Sequence, residues 1–453
     1  MEIISKRIAL ITLTAGLFII WLLSLFFIDS FITNLVLIFG LILSIAFLYR
    51  PKWGIFLILF LRPSIDKFSD QITVSLGNNL NFNAAAIFGI VVVLLLIIFL
   101  IKNIGELKWL PVKKTWLLFI TIALLSIIFS LDKIASIYGI IKIISIFLIF
   151  SSAYVLVKKE KDPKSILLAI IFSSIIPFLS AIYQLLTGSG VAGSEGVESR
   201  LFGTFSHPNP FASFVLISVS VLLFLILKER DFGKKWLFSS WLALGFIILE
   251  QTYARGAWLA FLIFLFIITI KKSPKVLVVL FVAFVVLFSL STSIQNRIQD
   301  VYNPPADSSV RWRFEQWDRV YKSFVKKPLT GYGIGTETIV HENEYGPNAG
   351  NQYTHNDFLR IALETGIFGC IIYSALLFLA LAKLIQAYRQ EKNPWRKHFG
   401  LFVLALYVGL LSYSLTNNNL NETVTQWLMW GVIGTAFALF ELSREEEPSL
   451  KTE

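Results

Sequence analysis

The sequence predicts an all-α, polytopic helical membrane protein of about 12–14 transmembrane helices, with both termini cytoplasmic and one long periplasmic loop carrying short helices. Three observations carry this. Of 453 residues, 56% are hydrophobic and only 15% charged; a soluble chain of this length could not bury so much apolar surface, because its core grows too slowly relative to its surface. Apolar runs long enough to cross a bilayer recur from end to end. Lys and Arg fall in clusters on alternate connections between those runs, as cytoplasmic loops require.

Taken in order, the candidate spans are 8–28, 31–49, 52–61, 84–101, 115–131, 134–157, 165–187, 209–227, 236–253, 256–270, 276–292, 358–382, 399–416 and 424–442. No small-residue cleavage site follows the first run, which therefore reads as a retained helix and not a signal peptide. The run at 52–61 is short and reads as a half-crossing that breaks at Arg62-Pro63. Basic clusters such as Lys102/Lys108/Lys113/Lys114, Lys158/Lys159/Lys161/Lys164 and Arg396/Lys397 then fall inside. The short outer segments carry isolated cations. Three regions result: 1–291, eleven transmembrane helices with short loops; 292–357, the long periplasmic loop; and 358–453, three further helices and a cytoplasmic tail. Within the loop, Phe314, Trp317, Tyr321 and Phe324 recur at helical spacing, the pattern of an amphipathic helix on a bilayer surface. Lys142, in mid-span, is expected to face the interior, a cavity or an acid. The acidic run Glu445-Glu446-Glu447 reads as a solvated end.

Composition also narrows the function. A single cysteine, Cys370, allows neither an intrachain disulfide nor a thiolate cluster. The net charge of +11 is spread over topology-setting clusters, so nucleic acid is not an expected partner, and membrane lipids are. Of four histidines, His207, His341 and His355 fall on the outer side. His355 stands where the polar loop enters a membrane helix, followed by Asn356 and Asp357, which suit a helix cap. It either helps that cap or acts as a general base, its ordinary pKa of ~6.5 lying near working pH. Arg255 lies in a tight turn between two apolar spans; it either snorkels to the headgroups or offers a bidentate fork to phosphate. Arg311 and Arg313 hold phosphate or lipid headgroups. Arg200 and His207 flank a turn whose Pro208-Asn209-Pro210 starts a helix, as ligands or as plain interface residues. No histidine pair has zincin spacing, and Gly331-Tyr-Gly-Ile-Gly335 lacks the Lys of a P-loop and reads as a turn, so neither a metal nor any other cofactor is expected.

Arg200-x-x-Gly203 with His207-Pro-Asn209; Arg255-Gly-Ala-Trp258; Arg313-x-x-x-Trp317 leading to Pro328-Leu-Thr-Gly-Tyr-Gly-Ile-Gly335; and His355-Asn356, nine residues and then Gly366-Ile-Phe-Gly369 occur in this order. Together they resemble the O-antigen ligase and O-antigen polymerase superfamily of bacterial membrane glycosyltransferases. The resemblance spans residues 200–369. It implies an inner-membrane, metal-independent, inverting enzyme whose site faces the periplasm. The enzyme would move a glycan from a polyprenyl-diphosphate carrier to an acceptor hydroxyl. In that reading His355 and Arg255 are catalytic, and Arg313, Arg311, Arg200, His207 and Asn356 bind diphosphate or glycan. The ligase pattern favours lipid A-core as acceptor; a repeat-unit polymerase, taking a glycan acceptor, and a protein O-oligosaccharyltransferase remain alternatives. A polytopic transporter is the competing class, against which stand the missing inverted repeat and the long outer loop.

Overall fold

A computed structural model describes residues 31–69, 73–76, 80–192, 199–272, 309–346 and 353–449, with residue 295 alone. The expected spans 8–28 and 276–292, and the long loop up to residue 308, lie outside the described residues. The described chain is all-α apart from two small hairpins, with fifteen α-helices. Helices α1 (Phe31–Tyr49) and α2 (Pro51–Ser69) precede an antiparallel hairpin, β1 (Thr73–Leu76) and β2 (Leu80–Asn83), in which Thr73 faces Asn83. Then come α3 (Ala84–Lys102), α4 (Lys113–Ser126), α5 (Lys133–Glu160), α6 (Lys164–Ser173) and α7 (Ile175–Thr187). A two-residue hairpin, β3 (Val191–Ala192) with β4 (Ser199–Arg200), leads to α8 (Pro208–Lys228), α9 (Phe232–Gln251) and α10 (Arg255–Lys272). Beyond these lie α11 (Ser309–Lys326), α12 (Glu337–Tyr345), α13 (Asp357–Gln390), α14 (Pro394–Tyr413) and α15 (Thr423–Ser449). Seven segments among the described residues are long and apolar enough to cross a membrane: α3, α5, the joined α6–α7, α8, α9, α13 and α15.

The bundle is centred on α5, α8 and α15, with α15 packed along α5 and against α8. Nearly every side chain of α8 is buried; Ser213 and Ser218 donate to carbonyls one turn back, Ser218 Oγ to Phe214 O at 3.0 Å, whereas Ser220 Oγ has no partner. Large aromatics fill the space between helices. Trp116 meets Trp430 edge-on at 4.8 Å, and Trp427 donates its Nε1–H to Ser145 Oγ at 2.9 Å across α15 and α5. Lipid offers indoles and phenols no acceptor, and Trp116 Nε1 and Tyr154 Oη have none; those that are paired find one within the bundle. Tyr407 accordingly donates to Leu377 O at 2.8 Å.

Two expectations are corrected here. Helix α2 does not break at Arg62-Pro63 but runs through it to Ser69; the Pro63 carbonyl accepts from Thr204 Oγ1 at 2.6 Å, and Arg62 lies over the Trp427 ring. Packing against α1, α3 and α6 carries the helix through the proline, whose missing N–H takes from the Leu59 carbonyl its usual intrahelical donor. Of the settings expected for Lys142, the packed interior does not hold, since the residue is exposed on α5; a long flexible stem lets its ammonium leave the packed face. The acidic run is exposed, as expected of a solvated end, and lies in the last turns of α15, where Glu445 pairs with Lys158 at 2.9 Å and Glu446 with Arg396 at 2.8 Å. The aromatic stripe of α11 keeps to one side of the helix. Phe314 and Tyr321 point outward, while Val320 and Gln316 form the buried side and Phe324 packs at its edge.

Two breaks shape the bundle further. The single expected span 165–187 divides at Ser174 into α6 and α7, because Pro177 in the first turn of α7 has no N–H to offer the preceding carbonyls. Helix α13 changes direction at Gly366 (φ +71°, ψ −175°). A Cβ there would lie 2.2 Å from Leu329 O, so only glycine fits.

Candidate active site

The Gly-rich run of the long loop is built into that break. Tyr332 N–H donates to Leu363 O (3.1 Å), Gly333 N–H to Glu364 O (2.8 Å) and Ile367 N–H to Pro328 O (2.8 Å). The helix carbonyls and amide freed by the kink are thus satisfied by the loop's backbone. Gly331, at φ +65°, lies against the Glu364–Thr365 peptide, where a Cβ would sit 2.5 Å from Glu364 O. This strap sets α12 beside the first turns of α13 and fixes the turn that carries His355.

His355 has φ +51°, the left-handed region that costs a residue with a β-carbon roughly 1 kcal/mol or more. Its neighbours hold it there. Thr354 N–H donates to Glu337 Oε1, and Asn356 N–H donates to Asn418 Oδ1 at 3.1 Å. Asn418 in turn donates Nδ2 to both carboxylate oxygens of Glu337, each at 3.1 Å. One buried carboxylate therefore clasps the His355 peptide from both sides. Trp317 Nε1–H closes the turn from α11 by donating to Thr354 O at 2.9 Å, and Trp312 meets the imidazole edge-on at 5.5 Å.

Beneath the turn, Arg360 Nε lies 3.2 Å from Glu364 Oε1 and 3.5 Å from Glu337 Oε2, all three side chains at most 4% exposed. Burial pushes the Glu337 carboxyl above its ordinary range, against the pull of Arg360. Asp357 accepts from Leu420 N–H at 3.0 Å, and its own N–H donates to Ser414 O at 3.0 Å. Asn356 caps α13, its Oδ1 accepting from the amides of Phe358 and Leu359 at 3.0 and 3.1 Å.

A second cluster meets this turn. His207 caps α8, its Nδ1 accepting from Asn209 N–H at 3.2 Å. Arg200 donates Nε–H to Thr252 O (2.8 Å) and Nη2–H to Asn209 Oδ1 (2.9 Å), tying the turn before α8 to the end of α9. Arg255 opens α10 just beyond, after Tyr253 at φ +49°. Its neighbour Gly256 packs on α14 so closely that a Cβ would lie 2.9 Å from Thr416 Oγ1, one residue before Asn417. Asn417 Oδ1 is 3.4 Å from His355 Nδ1.

The electrostatics of the two histidines tie the clusters together. The pKa of His355 is lowered to about 4, first by burial and then by the Arg313 guanidinium, with His207 adding to it. That of His207 is lowered to about 4 by burial, Arg200 and Arg313. The structure thus gathers His355, His207, Arg200 and Arg313 at one end of the bundle, with Arg255 on the adjoining turn. At neutral pH both rings are uncharged, while the guanidiniums make the site an anion trap.

Other candidates stand elsewhere. Arg311 faces solvent and pairs with Glu315 at 3.2 Å along α11. The side chain of Asn356 is engaged in capping and in donating to Leu415 O at 3.1 Å. His341 is buried in the loop's own core, with Nε2 2.8 Å from Gln316 Oε1. Among the described residues, no three His, Cys, Asp or Glu side chains converge as a metal-ligand set. Residues that sequence reasoning passed over complete the site: Glu337, Arg360, Glu364 and the turn Asn417-Asn418-Asn419. A signal existed, since three consecutive asparagines between two membrane helices have no apolar role there.

Comparison with known proteins bears on this geometry. The family model described as O-antigen ligase matches residues 238–374. Over this stretch the chain is similar to the O-antigen ligase family. The matched region holds Arg255, Arg311, Arg313, His355 and Asn356, with Glu337 and the strap; Arg200, His207 and the asparagine turn lie outside it. A protein of Rickettsia conorii, provisionally named a polysaccharide ligase, is 22% identical over 142 residues, which are 30% of this chain and 31% of that protein. The match therefore spans about a third of that relative's length.

Proposed function

We propose that the protein is an inverting membrane glycosyltransferase of the O-antigen ligase type, joining a glycan from a polyprenyl-diphosphate carrier to an acceptor hydroxyl, with lipid A-core as the acceptor. The observation that carries the reading is the meeting of His355 with Arg313, Arg200 and His207 inside and beside the stretch matched by the O-antigen ligase family. His355 takes the proton of the attacking hydroxyl, a contribution on the order of 10²–10⁴-fold. A bond forms from the acceptor oxygen to the anomeric carbon as the bond to the diphosphate oxygen breaks, and the carrier leaves as a diphosphate anion. Arg255, Arg313 and Arg200 receive that charge, each well-placed donor contributing about 3 kcal/mol in a dry site. Arg313 faces this cluster whereas Arg311 is paired at the surface.

The low basicity of His355 fits the same scheme. Burial first, and then the Arg313 guanidinium, holds the ring neutral. A bound diphosphate offsets that cation, so His355 gains basicity when the donor is present and a proton must be moved. The site would face the periplasm from the inner membrane, where neither ATP nor a nucleotide is needed because the diphosphate is already a leaving group. The test is incubation of the purified protein in proteoliposomes with a polyprenyl-diphosphate glycan, with and without lipid A-core. A single lipid A-core adduct supports the ligase; a ladder built on the carrier lipid shifts the assignment to polymerase. Absence of any glycan transfer with competent donor and either acceptor would overturn the reading.

A further inference from the structure

Hydrogen-bond polarity at His355 can be followed outward from a group that has no choice. The carbonyl of Leu410 can only accept. Asn419 donates Nδ2–H to it at 3.2 Å and also to Ser414 Oγ at 3.2 Å. The Asn419 amide is therefore oriented, with its Oδ1 left as an acceptor, and Ser213 Oγ–H approaches that oxygen at 3.5 Å. Asn417 donates Nδ2–H to the same Oδ1 at 3.1 Å. That orients Asn417 in turn, and its own Oδ1 is what faces His355 Nδ1 at 3.4 Å. An acceptor there demands a donor on the ring. The contact is long, as such bonds commonly are before substrate closes a site.

We propose that Asn417 is a positioning residue that fixes the tautomer of His355, placing the ring proton on Nδ1 and the lone pair on Nε2. The inference rests on the reading of His355 as the base. A neutral imidazole carries one N–H, so the nitrogen that takes the acceptor's proton is chosen by the bond the other nitrogen makes. His207 is set the opposite way: its Nδ1 accepts a backbone N–H, so its proton is on Nε2. Two histidines at one site thus present opposite polarities, one accepting and one donating. The charged and titratable groups around His355 are Arg313 on α11 and His207 before α8, with Arg200 behind it. Glu337 on α12 and Asp357 and Arg360 on α13 lie on the other side of the turn. Asn417 makes the direct bond to the ring among these.

The direct test is solid-state 15N NMR of the full chain labelled at histidine in proteoliposomes, tractable because the protein has four histidines. The difference spectrum against His355→Gln assigns the signals. A protonated Nδ1 with an unprotonated Nε2 at His355 is expected; the reverse pattern overturns the proposal. A second measurement follows the pH midpoint at which diethyl pyrocarbonate modifies His355, read by mass spectrometry without substrate. Asn417→Asp puts an anion at Nδ1–H and should raise that midpoint by about one unit or more; Asn417→Ala removes the acceptor and should lower it. A folded Asp variant whose midpoint does not rise contradicts the proposal. Glycan transfer by His355→Ala would instead sink the base reading alone, because both measurements are made without the reaction.

Discussion

The two ends of the bundle use the same residue types to opposite effect. Helix α5, with 28 residues, is about 42 Å long and joins them. At the end beyond its C-terminus, ion pairs lie at the surface: Lys52 with Asp162 at 2.5 Å, Lys158 with Glu445 at 2.9 Å, Arg396 with Glu446 at 2.8 Å. At the His355 end the charges are sealed in, Arg360 between Glu337 and Glu364 at 4% exposure or less. Exposed pairs are screened and contribute ~0–1 kcal/mol each. Removing one member of a buried, hydrogen-bonded set costs about 3–5 kcal/mol, because what remains has lost its partner away from water. Charge count therefore says little about importance in this protein; burial beside a strained turn says a great deal.

The contrast can be broken or sharpened by mutation. The largest effect is expected at His355→Ala, which should reduce glycan transfer on the order of 10²–10⁴-fold while the protein remains folded and inserted; wild-type turnover in proteoliposomes would remove the base from the mechanism. Glu337→Ala frees Thr354 N–H, Asn418 and one side of Arg360 at once. It should lower the melting temperature in detergent clearly and cut transfer about 100-fold through the loosened His355 turn; a variant with unchanged melting and activity would mean the clasp is idle. Arg255→Lys should lose transfer about 10- to 100-fold, since a point charge cannot replace a planar fork; equal rates with Lys would reduce Arg255 to an interfacial anchor.

Smaller effects test the electrostatics. His355 and His207 both have folded pKa values lowered to about 4 from 6.5. Between those values an unfolded chain binds protons that the folded one refuses, so stability falls as pH drops from about 6.5 towards 4. Acid scans of the wild type should show this loss, and it should be smaller in His207→Gln; identical pH slopes would mean that the ring at 207 is not held neutral by its surroundings. Least of all, Arg396→Ala, at the opposite end, should cost about 1 kcal/mol or less and leave transfer untouched. A catalytic defect there would contradict the division between the ends.

Much of the fold was legible because membrane helices are written in composition. Pro208-Asn209-Pro210 marks the start of α8, Asn356 marks the cap of α13, and both do what those residue types favour. What could not be read depends on contacts distant in sequence. Pro63 looked like a terminus because a proline alone disfavours helix; its tolerance comes from α2's packing among α3, α6 and α7 and from Thr204, 141 residues away. Gly366 gave no sign of a kink, since its reason is the backbone of Leu329. At the site, His355 and the arginines carried recognisable patterns, whereas Glu337 and Asn417 act through partners 17 and 62 residues away. Arg311 and Arg313 differ by two positions on one helix, and only the fold says which looks inward.

The strap from Pro328 to Gly335 has a mechanical consequence. Its three main-chain bonds straddle the kink of α13, so loop and helix cannot slide past each other without breaking them together. The upper third of a membrane-crossing helix and the turn bearing His355 are thereby one rigid lever. Any tilt of α13 therefore carries the imidazole of His355 with it.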